Sequence, residues 1–259
     1  MILILGNSSD SLIYLKNMLR YSEEKEELSG TFVSHLGKIY GQDVCLAETG
    51  YSSYRSELIA SFLIHKYSPY IAIYIGDGVQ LTPGLAGGDI LMADYLQIID
   101  VDQLHKDPSS RLYEVPGFQP YFTVSDTLVK QFNDCSAHVG VINGRIGACI
   151  SANQAISSLK DLSFDVNAFE AAHHSELVFE GEAGGVGLAC AFYQVPLLPI
   201  IAISSKIDNE NSILERKRII LKDAVDIGKT VVSFIVAISN DETTFIRSDE
   251  AAPNKKMKF

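Results

Sequence analysis

A succession of short apolar runs rich in Ile and Val, most of them closed by Gly, Asn, Ser or Asp, constrains this chain more than any other feature. The runs are residues 2–5, 44–47, 71–75, 90–93, 138–142, 146–150, 177–179 and 197–203. Runs of this length and bounding read as strands. Longer stretches with helical spacing lie between some of them. Leu58, Ile59, Phe62 and Leu63 share a face of a helix over 53–66, ended by the turn before Pro69. Leu128, Val129 and Phe132 mark a short helix, with Ser125 and Asp126 as candidate caps. Residues 183–193 form a helix of small residues suited to close packing on a sheet. A last helix is expected over 212–238, with Ile213, Ile220, Ala224, Ile227, Val231 and Ile235 on its buried side. Strands alternating with helices imply a mostly parallel sheet covered on both faces. No Pro/Gly/Ser-rich linker interrupts the pattern. Residues 1–239 are therefore expected to form one domain, and 240–259, polar and aperiodic, a tail.

Composition narrows the partners. The net charge is −11 over 259 residues. An acidic surface repels nucleic acid and anionic membrane, so neither is expected as a partner. No apolar run approaches the roughly 20 residues of a membrane span. The start, "MILILGNSSD", has no basic segment ahead of its apolar residues and reads as a buried strand; a cytoplasmic protein is expected. Cys45, Cys135, Cys149 and Cys190 show no C-x-x-C spacing, and adjacent His173 and His174 point apart on any regular element. No metal site is expected.

Four stretches carry possible chemistry. "YIGDGVQLTPGLAGGDI" (74–90) is rich in glycine but is neither a P-loop nor a dinucleotide fingerprint. "FEGEAGGVGLACAFYQVP" (179–196) ends a strand at Glu180 and starts a helix at Glu182, where a carboxylate either caps the helix or aims into the crevice at the strand ends. "GNSSDS" (6–11) follows the first strand; its hydroxyls and Asp10 either bind a ligand or cap the next helix. The run 197–203 stops at Ser204, Ser205 and Lys206, with Asp208 beyond. That is where a central strand delivers its chain to a ligand crevice.

In this order the pieces resemble the nucleoside phosphorylase superfamily, and within it the 5′-methylthioadenosine/S-adenosylhomocysteine nucleosidases. "GDGVQLTPGLAGGDILMAD" looks like the family's glycine loop. "EGEAGGVGLACAFYQVPLLPIIAIS" (180–204) follows its E-x-E-A, V-P and A-I-S landmarks without a gap. "ACISANQAI" resembles the strand and turn before the substrate helix. "AETGYSSYRSELIA" resembles a G-x-G-K segment lacking the second glycine and the lysine. The resemblance implies a three-layer α/β/α sandwich around a mixed, partly closed central sheet. It also implies cleavage of the bond between ribose and a purine base, no cofactor, and assembly as a homodimer or larger homo-oligomer.

Such chemistry needs an acid for the departing base, a carboxylate for water and a carboxylate for the ribose diol. By resemblance Glu182 holds the diol and Glu180 is its companion, with Gly181 in place of a methionine. Asp77 and Gly78 sit in the glycine loop, Asp77 replacing a serine. Ser151 lies in the substrate strand, and Ala155 stands where an aromatic stacks on the base. The base-protonating aspartate falls at Ser205, a hydroxyl with no useful acidity near neutral pH. The water-activating position falls at Ser11 or Asp10. Asp208 and Lys206 are further candidates outside the family pattern. A carboxylate such as Asp77 about 4 Å from a phosphate oxygen costs roughly 4 kcal/mol at an effective dielectric of 20. Hydrolysis is therefore expected over phosphorolysis. The expected function is nucleosidase-like with an altered site; the alternative is an inactive relative that binds a nucleoside or base, or serves a structural role.

Overall fold

The computed structural model describes residues 1–101, 112–119, 121–142, 144–153, 156, 158–162, 164–173, 176–207, 213–214 and 221–240. In chain order the elements are β1 (Ile2–Gly6), α1 (Ser9–Met18), β2 (Arg20–Glu27), β3 (Phe32–Ile39), β4 (Gln42–Glu48), α2 (Ser53–Tyr67), β5 (Ile71–Gln80) and β6 (Ile90–Ile98). There follow β7 (Phe122–Thr123), α3 (Asp126–Val139), β8 (Gly144–Ser151), α4 (Val166–His173), β9 (Glu176–Phe179), α5 (Ala183–Tyr193), β10 (Leu197–Ile207), β11 (Ile213–Leu214) and α6 (Leu221–Asn240).

Alternation along the central strands sorts side chains to two faces. On β5, Ile71, Ile73 and Ile75 join Leu12 and Leu15 of α1, Phe132 of α3, and Ile227 and Phe234 of α6 in one core. Ala72 and Tyr74 of the same strand join Ile59 and Leu63 of α2 and Val186 and Ala189 of α5 in the other. The sheet is thus the middle of three layers.

The sheet is mixed. β1 lies parallel to β4 and β5. β5 pairs parallel with β10 and antiparallel with β9. β6 pairs antiparallel with β10 and parallel with β8, which runs parallel to β9. Going round β5, β10, β6, β8, β9 and back to β5, each strand is bonded to the next, so these five close a ring. The mostly parallel sheet expected from alternation alone is corrected accordingly, since β10 and β9 each meet one antiparallel neighbour across the ring.

Other expectations also change. Residues 138–142 are not a strand: α3 continues to Val139 and ends at Gly140, whose φ of 66° suits a left-handed cap. The last helix begins at Leu221 and not at residue 212, because Ile213 and Leu214 pair with Ile207 and Lys206 as β11. Ala224, Ile227, Val231 and Ile235 do form its buried side; Ile220 lies outside the described residues. On α2, Leu58 is exposed and the buried face is Ile59, Ala60, Leu63 and Ile64. β2 and β3 were not expected from the sequence. Residues 241–259 lie outside the described residues, and among the described residues no helix is long and apolar enough to cross a membrane.

The small-residue helix α5 presses on α2 at Gly185. A Cβ there would stand 2.0 Å from the Ser53 carbonyl oxygen and 2.5 Å from Ser56 Oγ. Gly185→Ala is expected to destabilise the fold by roughly 1–3 kcal/mol through overpacking. Gly181→Ala is the control, since its Cβ would meet only the Ala152 carbonyl at 3.6 Å. Thermal melts showing equal midpoints for the two variants would contradict this reading of the α2–α5 contact.

Candidate active site

Two groups of polar side chains gather toward the C-terminal parts of the central strands. The first joins β1, β5 and β10. Asn7, one residue beyond β1, is 1% exposed, and its Nδ2 donates to Asp77 Oδ1 on β5 at 2.6 Å. Its Oδ1 is buried without a hydrogen-bond partner. Ser204 on β10 lies with its Oγ 3.3 Å from Asp77 Oδ2 and 3.2 Å from the Gly78 carbonyl, so its one hydrogen serves either acceptor. The β5–β10 register slips between Ile203 and Ser205, placing Ser205 opposite Val79. Ser205 is buried. Gly78 is required by close approach: a Cβ would lie 2.7 Å from Ile201 Cγ2 and 3.0 Å from the Phe179 carbonyl.

The second group forms where β9 passes into α5. Glu180 is 1% exposed and Glu182 8%. Glu180 Oε1 accepts from the Tyr74 hydroxyl at 2.7 Å, while Oε2 accepts from the backbone N–H of Glu182 at 2.9 Å and of Ala183 at 2.6 Å. Of the two roles open to Glu182, the capping one belongs to Glu180. Glu182 occupies the N-cap position but makes no side-chain cap bond. Burial, then the charge of Glu182 and the hydrogen bond between the two carboxyls, pushes Glu180 well above the usual carboxylate range, against the donors Tyr74 and Ala183. Two carboxyls this close disfavour double ionisation, and burial with the partner's charge favours a proton on Glu180. Burial, followed by Glu180, Glu182 and, further off, Asp77, pushes the Tyr74 hydroxyl far up as well.

Ser151, at the end of β8, ties this corner together. Its hydroxyl donates to the Glu180 carbonyl at 2.5 Å and accepts from Gly184 N–H at 2.9 Å. It is fully buried, so it positions β9 and α5 and its hydroxyl bonds are spent on that scaffold. Gly181 is not demanded by sterics, since its Cβ would make only an ordinary contact with the Ala152 carbonyl.

The remaining expected residues fall elsewhere. Asp10 is exposed in the first turn of α1. The hydroxyls of "GNSSDS" act as caps: Ser8 and Ser11 form a reciprocal capping box at the start of α1. Ala155 and Asp208 lie outside the described residues, as does the side chain of Lys206. The four cysteines are buried, with burial pushing Cys45 and Cys190 up to about 12, which makes them poor nucleophiles.

Sequence reasoning missed Asn7, Tyr74 and Asn153. The last caps α2 across the fold, its Oδ1 accepting from Ser53 N–H at 3.1 Å. Only Tyr74 left a signal: a tyrosine inside the run IAIYIG must find a partner for its buried hydroxyl.

The sequence profile described as the Phosphorylase superfamily matches residues 1–235. The chain belongs to this superfamily. Among superfamily members, a 5′-methylthioadenosine/S-adenosylhomocysteine nucleosidase of Staphylococcus aureus is 24% identical over 242 residues, covering 91% of this chain and 99% of the relative. A protein of the same name from Buchnera aphidicola is 24% identical over 215 residues, covering 81% and 87%. The superfamily fold recurs in solved structures. The Neisseria meningitidis nucleosidase bound to methylthio-immucillin-A superposes with a TM-score of 0.75 at 17% identity, covering 91% of this chain and 98% of its own. A futalosine hydrolase mutant of Helicobacter pylori gives 0.75 at 21%, covering 91% and 97%.

Proposed function

We propose that the chain hydrolyses the N-glycosidic bond of a purine nucleoside, of the methylthioadenosine/adenosylhomocysteine type or a related one, at a site whose acid position is altered. The observation that carries this is the buried Glu180–Glu182 pair at the start of α5. Glu182, the less buried of the two, accepts as a carboxylate from both ribose hydroxyls and favours the cationic sugar as the bond to the base breaks. Glu180 is spent on Tyr74 and the α5 N-terminus, and so fixes where Glu182 stands. Gly78 lets the β5 backbone pass close to β10 and to the end of β9. The nucleosidase relatives, alike along nearly their whole length, support the same chemistry.

Ser205 favours a second reading. A hydroxyl at the base-protonating position supplies no useful acid, as expected of a relative that binds a nucleoside or base without cleaving it. One assay separates the two: release of free base from a panel of purine and pyrimidine nucleosides, with and without phosphate. We expect release that does not depend on phosphate, because Asp77 sets a carboxylate where a nucleophilic phosphate would lie. A rate that rises and saturates with phosphate would contradict hydrolysis. Calorimetric binding of a nucleoside with no base release would establish the binding protein instead.

A further inference from the structure

Resting on the nucleosidase reading, we infer that the crevice serves a nucleoside whose base already carries a positive charge, a pyridinium or N-alkylated purinium riboside, and that Asp77 takes the proton of the attacking water. The first support is the lining. Where β1 ends beside the C-terminal parts of β5 and β10, the groups that meet are the Asn7 amide, the Ser204 hydroxyl and the Asp77 carboxylate. Asp77 is half-buried and held at Oδ1 by Asn7 at 2.6 Å, while Ser204 at 3.3 Å divides its single hydrogen between Asp77 Oδ2 and the Gly78 carbonyl. Asp77 therefore keeps lone pairs for a water molecule. The second support is independent. Asn7 is 1% exposed and its Oδ1 is buried without a partner beside this carboxylate, a further acceptor lacking a donor. The third is electrostatic: among the described residues the acidic groups that act on Tyr74 are Glu180, Glu182 and Asp77, and the proton favoured on Glu180 removes only one of these three negative charges. Such a site attracts cations.

The chemistry explains why Ser205 suffices. A neutral purine leaves with the electron pair of the broken bond and needs a proton, and an acid that supplies it contributes roughly 10²–10⁴ in rate. A base that is already cationic leaves as a neutral molecule and needs none. Water oxygen bonds to C1′, the C1′–N bond breaks with its pair passing to the base nitrogen, and the water proton passes to Asp77. Charge and atoms balance without a further acid.

The test compares nicotinamide riboside and 7-methylguanosine with adenosine and methylthioadenosine, reading base and sugar release by chromatography. We expect kcat/KM for the cationic pair to exceed that of the neutral pair by at least about tenfold, and Asp77→Asn to remove roughly 10²-fold or more of the cationic rate. Calorimetry on the unaltered protein, with nicotinamide riboside against its neutral dihydro form, is the second measurement and is independent of how the variant folds. The cation is expected to bind about tenfold more tightly or better. Faster cleavage of the neutral pair, or equal binding of the two riboside forms, would overturn this inference and leave the nucleosidase reading standing. No release from any of the four substrates would overturn both.

Discussion

Glu182→Gln is expected to lower kcat/KM for base release by roughly 10²–10³, the loss seen when one electrostatic stabiliser of a transition state is removed. Glutamine keeps the size of the side chain but loses the charge and one of the two acceptor oxygens that a vicinal diol uses. The fold should survive, because the bonds that start α5 are made by Glu180 and by the Glu182 backbone, whose carbonyl accepts from Ser56 Oγ at 2.8 Å. Steady-state kinetics beside a thermal melt checks both halves. A variant that melts normally and keeps its rate within about threefold would remove Glu182 from the diol-binding role.

The parts of this corner were unequally legible in the sequence. The helix expected over 183–193 is Ala183–Tyr193, because small residues followed by a V-P turn leave few alternatives. The strand at 197–203 was legible for the same reason, an unbroken apolar run, although β10 extends through the polar residues to Ile207. β2 was invisible. Its residues RYSEEKEE are almost all exposed, so they show no alternation, and the strand exists because its backbone pairs with β3. At 138–142 the letters HVGVI look like a strand, but the helix before them had not yet run out. Within the site, Glu180 and Glu182 were legible as a pair, but which of them caps α5 was not. That depends on Tyr74, 106 residues away in the chain. Asn7 joins Asp77 across 70 residues, and no local pattern announces such a contact.

The second large effect is expected at Ser205. Ser205→Asp should create or raise release of base from methylthioadenosine, which the unaltered protein is expected to cleave slowly or not at all. An acid at this point is worth at most roughly 10²–10⁴. The gain should fall well below that, because catalytic groups that act as a unit do not contribute additively, and Gly181 and Asp77 also depart from the family pattern. The new carboxyl would stand on β10 at the same strand end as Asp77. Burial and a like charge nearby both raise a carboxyl pKa, which favours the protonated form an acid catalyst needs. Ser205→Asn, similar in size and without acidity, should give no gain. A cationic nucleoside should gain nothing from either variant, since its base leaves without a proton. If both variants bind a purine nucleoside by calorimetry and neither releases base, the binding-protein reading becomes the better one.

The closed ring of β5, β10, β6, β8 and β9 bears on how such a site changes over generations. A strand in an open sheet can slide or fray at its edge, and a new side chain at its tip is felt along its length. In the ring each strand is clamped on both sides, and the buried isoleucines of β5 and β10 precede Asp77, Ser204 and Ser205 along their strands. Exchange of hydroxyl for acid at Ser205 still carries the cost of burying a carboxyl, but the clamped ring confines that cost to the site. Selection on chemistry then acts on positions apart from the isoleucines that fill the cores, and a change of reaction draws on the stability that the ring supplies.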